Sequence, residues 1–344
     1  MFKFRKWYVQ NVTPTPMPLP IFKIRYAYEE VNDVNYNFKK FGDLNKDKVF
    51  YVIKRSPGTG MFSNVTFVLN HILVAKKLNC IPVVDMENYI TIYNEKEKIH
   101  KTFNAWEYYF EQISPYSLDE VYKSEKVLIT NNKFYNFFHY YLEGQELALM
   151  LINEIKIKKR IFKSYQKIHK QIKNYKTLGI HFRGTSYKRS VGHPMPATVK
   201  QMLEITKKII KEKKVEKIFL ATEELDYLKA FKSEFGEKII YIKSCYRSNR
   251  NDAFKKYPRR LHRYKMGREI ILETLLLSSC DYFVYVTSNV SNAAKALNIN
   301  KNQERIEINN GINSKNIFIS QFYWYIKKIL PASFGGLKTK FWLD

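Results

Sequence analysis

A histidine and an arginine two residues apart, His181 and Arg183, stand in the run LGIHFRGTS at positions 178–186. Leu178, Ile180 and Phe182 alternate with Gly179, His181 and Arg183, so a two-residue period sends the apolar set to one face and the polar set to the other. The run stops at Gly184-Thr185-Ser186, a cluster of turn formers. Both polar side chains therefore belong at the carboxyl end of a strand, where open α/β sheets hold their ligands. An arginine there offers a planar, bidentate cation to an anion such as a phosphate. An edge strand carrying two solvated polar residues is the plainer alternative.

Other strand ends carry chemistry of the same kind. KIFLAT, at 217–222, runs into Glu223 and Glu224, and the apolar run at 281–286 meets Thr287-Ser288-Asn289 just ahead of a helical stretch. A helix N-terminus with hydroxyl side chains suits a phosphate, because its first amides are unsatisfied and its dipole favours negative charge. Glu273 interrupts the apolar helix IILETLLL. Its carboxylate fits plain helix surface, a cap on a neighbouring group, or an acceptor for a nucleobase edge. In the first half, KVFYVIK at 48–54 leads into RSPGTGMFSN. Gly58 and Gly60 would let the backbone approach a phosphate or sugar, with Asn64 near the first helical turn. That GxG also fits a tight turn, and it lacks the full Rossmann or Walker spacing. CIPVVD at 80–85 ends in Asp85, with Glu87 just beyond; either could act as a general base or cap the following turn. His193, in a loop stiffened by Pro194 and Pro196, is a third candidate base. The aromatic run FNAWEYYF at 103–110 reads first as core and second as a sugar-stacking wall.

The elements that must position these residues alternate strand with helix, which implies parallel sheets with right-handed crossovers. The fold class expected is α/β, with two Rossmann-like domains facing a cleft. Four prolines at 14, 16, 18 and 20 mark residues 1–45 as an extended lead-in. An α/β domain follows over 46–160, then a helical, basic connector over 161–176. A Rossmann-like domain spans 177–312, and a helix with a basic, aromatic tail fills 313–344.

A chain of 344 residues fits two domains of ordinary size. With 45% hydrophobic and 16% aromatic residues it can bury substantial cores, and a mean hydropathy of −0.41 excludes a protein of many membrane spans. The N-terminus lacks the apolar core of a signal peptide, so the expected location is cytoplasmic, with peripheral contact at the inner face of the plasma membrane included. Cys80, Cys245 and Cys280 are widely spaced and form no CxxC, which suggests neither a disulfide framework nor a zinc site. The net charge of +27 fits nucleic acid, anionic lipid or phosphorylated substrates, or a compositional bias of the genome. No nucleic-acid-binding motif accompanies it.

HFRGTS, the IFLATEE strand end and the run HRYKMGREIILETLLLSSCDYFVYVTSNVSNAA together resemble the three motifs of the superfamily of α-1,6-fucosyltransferases, nodulation fucosyltransferases and protein O-fucosyltransferases. The resemblance is best over 178–298, and GTGMFSN is more loosely similar to the family's N-terminal glycine-containing loop. It implies a GT-B-like pair of domains, that at 46–160 on the acceptor side and that at 177–312 binding the nucleotide-sugar, with GDP-fucose as donor. It places His181 and Arg183 on the motif histidine and the essential arginine that binds the β-phosphate. Glu223 and Glu224 fall on its acidic positions, Glu273 on an aspartate of nucleotide recognition, and Ser288, beside Thr287 and Asn289, on a phosphate-contacting serine. Two positions depart from it: Ser186 stands where an aspartate is usual, and Val191 where the α-1,6 enzymes place a catalytic glutamate. The base does not transfer from that branch, which leaves His193, Asp85 and Glu87.

The activity implied is inverting, metal-independent sugar transfer, from GDP-fucose to a bacterial surface-glycan acceptor such as lipopolysaccharide or capsule. The chain has no DxD motif and no cofactor is expected beyond the donor substrate. The partners expected are a glycan acceptor, lipid-linked ones included, an anionic membrane met peripherally, and no nucleic acid. The C-terminal stretch 321–343 mixes aromatics with lysines, which fits anionic lipid or a terminal helix packed back across the first domain. Two alternatives are the same fold with another GDP-sugar, and a noncatalytic basic RNA-binding protein.

Overall fold

The computed structural model describes residues 38–130, 144–298 and 302–338. Most of the lead-in expected at 1–45 and the last residues of the tail lie outside these. The chain divides into two compact units, Met1–Ile161 with Tyr257–Arg268, and Phe162–Lys256 with Glu269–Asp344.

The first unit holds a parallel sheet built from β1 (Leu44–Lys54), β2 (Ile81–Asp85) and β3 (Ser124–Ile129), in the order β2-β1-β3. Phe50 pairs with Ile81 on one side of β1, and with Val127 on the other. Helix α1 (Met61–Lys77) joins β1 to β2, and its burial on nearly every side marks it as a core helix rather than an amphipathic cover. Phe50, Val52, Val83, Val121 and Val127 form a cluster on the sheet. Ala105, Trp106, Tyr108, Tyr109 and Phe110 are all buried, so the aromatic run is core and offers no stacking wall. The short α2 (Leu118–Val121) precedes β3, and α3 (Gly144–Glu154) completes the unit. Residues 257–268, assigned from the sequence to the second domain, group with the first unit. Arg263 Nη1 donates to Ile92 O at 3.1 Å, and the Tyr264 amide donates to Glu95 Oε1 at 2.9 Å.

The second unit, entered along α4 (Lys159–His169), is a five-stranded parallel sheet. Its strands are β4 (Thr177–His181), β5 (Lys217–Ala221), β6 (Ile239–Ile240), β7 (Tyr282–Tyr285) and β8 (Glu304–Glu307), in the order β6-β5-β4-β7-β8. Its helices are α5 (Val199–Lys213), α6 (Leu225–Phe235), α7 (His262–Leu277), α8 (Asn289–Leu297) and α9 (Ile317–Ile329). Helix α5 opens on a capped N-terminus. Thr198 and Gln201 form a capping box, and Met202, Ile205 and Ile209 make its buried stripe. Helix α7 is divided between the units after Arg268. β4 is central and covered on both faces, which removes the solvated edge strand as an alternative. The chain runs from β4 outward to β5 and β6, then returns to β7 and β8. The strand order therefore reverses between β4 and β7, and that switch point opens a crevice at their carboxyl ends.

Candidate nucleotide-binding rim of the second unit

The switch point brings together residues from both of its strands. His181 ends β4 and is buried, with Nδ1 3.5 Å from the Ser288 hydroxyl at the end of β7. Burial first, and then the Arg183 cation, pull the imidazole down to about 3, so His181 is neutral across the physiological range. A group so hard to protonate is unsuited to general-base work. Its place is to orient and hydrogen-bond. Ser288 caps α8 in a reciprocal box with Ser291, accepting the Ser291 amide at 3.1 Å. The box satisfies the amide of the third helical residue and leaves those of Asn289 and Val290, at the same helix end, with no intrahelical acceptor. Thr287, grouped with these residues in the sequence, gives its hydroxyl to Glu307 Oε1 at 2.6 Å.

Arg183 lies two residues past the end of β4. Its guanidinium sits 4.3 Å over the Tyr187 ring, and Nε stands 3.6 Å from Glu223 Oε1. The turn that carries it is braced by the two glutamates after β5. Glu223 Oε1 accepts the Gly184 amide at 3.0 Å and the Thr185 hydroxyl at 3.2 Å. The buried Glu224 accepts the Thr185 amide and pairs with Lys188 Nζ at 2.6 and 2.9 Å. The sequence reading gives both carboxylates to the donor; the structure instead commits them to the protein's own turn. A donor's phosphates would in any case be repelled by them. Burial opposes the ionisation of Glu223, yet the Arg183 guanidinium, and after it the Gly184 amide, hold its carboxyl below the usual carboxylate range. Gly184 is required here for space, since a Cβ would overlap the Glu224 carboxylate and come within 2.8 Å of Tyr227 Cε2.

Glu273 is no surface residue of α7. Its Oε1 lies 3.7 Å from Arg247 Nη2 and accepts the Cys245 thiol at 3.5 Å. Burial, only partly offset by Arg247, and the nearby carboxylates of Glu269 and Glu223 push its carboxyl up to about 7. His193 is exposed in the loop beyond the turn, with its ring 5.4 Å from that of Tyr187. Burial of its ring atoms and the Arg183 charge hold it below the ordinary histidine value, so it is a neutral acceptor beside the rim.

Four residues of the first unit stand differently from the sequence reading. Asp85 is fully buried, and its two oxygens accept the Glu87 and Asn88 amides at 2.9 and 2.8 Å, Asn88 Nδ2 at 3.1 Å and the Tyr122 hydroxyl at 2.7 Å. It caps the turn after β2 and has no oxygen left for an acceptor hydroxyl. Asn64 is buried too. It accepts the Thr59 amide at 2.9 Å and returns a bond to Thr59 O at 3.3 Å, which pins the loop from within. Gly58 takes φ +73° to make that turn, and the Cβ position of Gly60 is open. Glu87 is exposed, and burial of its carboxyl, then Asp85 and Glu107, raise it above the usual carboxylate value.

Sequence reasoning missed Tyr187, Lys188 and Arg247. The first two lie in a short 3₁₀ turn over Thr185–Lys188, and Arg247 lies in a long loop; no periodicity announces either. An open groove of about 500 Å³ lies at the other end of the sheet, among Lys173, Lys176, Asp281 and Glu304. The converging cation, capped helix end and buried histidine lie instead at the carboxyl ends. Among the described residues no helix is long and apolar enough to cross a membrane.

No protein-family model and no curated protein matches the chain. Among solved structures it is similar to the α-1,6-fucosyltransferase NodZ co-crystallised with GDP, at a TM-score of 0.47 and 13% identity over 72% of this chain and 92% of that one. It is also similar to POFUT1 in complex with GDP-fucose, at 0.43 and 11% over 77% and 99% of the two chains. For FUT1 of Arabidopsis thaliana in complex with GDP the values are 0.40 and 10%, over 86% and 76%.

Proposed function

We propose that the chain is an inverting glycosyltransferase whose second unit binds a GDP-sugar, with GDP-fucose as the donor. One observation carries this reading. At the switch point between β4 and β7, Arg183, neutral His181 and the free amides at the Ser288-capped end of α8 belong to a single crevice. Each of these groups favours an anion, and together they suit the diphosphate of a nucleotide-sugar. The motif resemblance over 178–298 supports guanine and fucose as the base and sugar. Glu273, which the resemblance places at nucleotide recognition, with Arg247 3.7 Å away, is the group to meet the base edge, since in its ionised form a carboxylate accepts two donors of guanine at once.

In the reaction the acceptor hydroxyl attacks the anomeric carbon as the bond from that carbon to the β-phosphate oxygen breaks. The electron pair leaves with GDP, whose growing charge Arg183 and the α8 amides stabilise, an electrostatic task that a metal performs elsewhere. His193 takes the hydroxyl proton in this reading: it lies in the same unit as Arg183 and its imidazole is held neutral, whereas Asp85 is committed to its turn. The net charge of +27 supports an anionic acceptor, such as a lipopolysaccharide or capsule precursor on the cytoplasmic side.

Thermal-shift measurements with GDP-, UDP-, dTDP- and CMP-sugars, each with and without EDTA, test the reading. Stabilisation by GDP and GDP-fucose that survives EDTA is expected. Selective stabilisation by a non-guanine nucleotide would overturn the donor assignment. A chain indifferent to all four that binds RNA tightly at low salt would overturn the enzyme reading.

A further inference from the structure

Helix α9 inverts the usual pattern of a surface helix, which buries its apolar stripe and leaves its polar face to water. It sits on the second unit through buried Ser320 and Trp324. Trp324 packs with Met195 and Leu337 and donates its indole N–H to Pro196 O at 2.8 Å. Phe318, Phe322, Ile326 and Ile329 point outward at spacings of four, four and three residues, exposed by 79, 66, 50 and 69%. Phe334, in the turn that follows, is 76% exposed. Scattered exposed apolar residues are ordinary, but a stripe of large ones at helical spacing marks a contact surface. From Ile308 to Lys338 the sequence has four lysines, Lys315, Lys327, Lys328 and Lys338, and no aspartate or glutamate.

We propose that this face docks on an anionic lipid bilayer. The helix would lie in the headgroup plane, with its apolar stripe at the acyl boundary and the lysines on the lipid phosphates. Charge selects the bilayer over a second copy of the chain. A symmetric dimer would bring two copies of this lysine-rich segment together with no acid in the segment to pair them. Anionic headgroups supply the missing negative charge.

The docking face is tied to the candidate rim. Helix α9 packs on the Thr185–Lys188 turn that follows Arg183. Lys188 Nζ is 5.2 Å from the Trp324 ring, and the Arg189 guanidinium is 5.6 Å from that of Tyr325. Asn313 Nδ2 bridges Lys188 O and Ser320 O at 3.4 and 3.2 Å. A bilayer held on α9 lies beside the rim, which suits an acceptor carried on a lipid anchor. That last step rests on the transferase reading, whereas the docking itself does not.

Co-sedimentation of the full chain with vesicles, without donor, tests the docking. One set is pure phosphatidylcholine, and the other contains phosphatidylglycerol as about a third of its lipid. Binding is expected to the anionic set, weakened by salt, and reduced at least about tenfold by Phe318→Ser with Phe322→Ser and Ile329→Ser. Lys315→Glu with Lys328→Glu should give a loss of similar size. A cooperative melting transition like the parent's in both variants shows that the fold is intact, and GDP-induced thermal stabilisation reads the transferase assignment separately. Absence of binding to anionic vesicles overturns the proposal, as does binding that the triple variant leaves unchanged. A parent chain that sediments as a dimer, becomes monomeric in the triple variant and ignores vesicles would show that a second copy covers the face.

Discussion

Replacing Arg183 with alanine tests whether the rim of the second unit is built for a diphosphate. The guanidinium is held over Tyr187 at 4.3 Å, with Nε 3.6 Å from Glu223, so it is placed before a ligand arrives. Charge-assisted hydrogen bonds to a phosphate contribute about 2 to 3 kcal/mol net. At 1.4 kcal/mol per decade, GDP should bind roughly 30- to 150-fold more weakly. Arg183 is partly open to solvent, and screening puts the expectation at the lower end of that range. Calorimetric titration with GDP reads the change. A second effect must be kept apart from it. Arg183 helps to hold the Glu223 carboxyl below its unfolded value, so this pair stabilises the fold above the ordinary carboxylate pKa. That stability is lost as pH falls through the folded value. The alanine variant should therefore be less stable at neutral pH and approach the parent in acid. Glu223→Gln removes the stability effect, and combining it with Arg183→Ala isolates the ligand effect. GDP affinity of Arg183→Ala within threefold of the parent would refute the phosphate role. Loss of the affinity difference in the Glu223→Gln background would show that Arg183 serves only to neutralise Glu223.

Gly184→Ala should lower stability by about 1 to 3 kcal/mol in urea denaturation, because the new methyl overlaps the Glu224 carboxylate and crowds Tyr227; an unchanged midpoint would mean that the turn yields. His193→Ala should reduce turnover while leaving GDP affinity unchanged. In the parent, kcat/KM should rise with pH along a limb below the ordinary histidine pKa, since a base works deprotonated and its value is lowered here; the same limb persisting in the alanine variant would exclude His193 as the base. Glu273 is an acid whose folded value is raised to about 7, so the folded chain holds a proton that the unfolded chain has released. Stability should decline as pH rises from the ordinary carboxylate range to about 7, and Glu273→Gln should flatten that decline in a pH series of urea titrations.

Much of the second unit was legible because its signals are local. The two-residue period of LGIHFR and the Thr-Ser-Asn opening of α8 each follow from short-range sterics and hydrogen bonding, so they survive without knowledge of the rest of the chain. Local chemistry also showed that His181, Arg183 and Ser288 sit at strand or helix ends. What it could not show is which groups their atoms meet. Asp85, Asn64, Glu223 and Glu224 all have the composition of site residues, and the structure turns each toward its own backbone or a neighbouring lysine.

The sequence by itself determined an α/β chain of alternating strands and helices, with polar residues at the ends of its strands. Tertiary structure decided the rest. Strand order β6-β5-β4-β7-β8 makes the reversal that places His181 beside Ser288, 107 residues away. It also places residues 257–268 with the first unit and turns the apolar stripe of α9 outward. Pairing order and burial depend on contacts between distant segments, and periodicity within a segment carries no information about them.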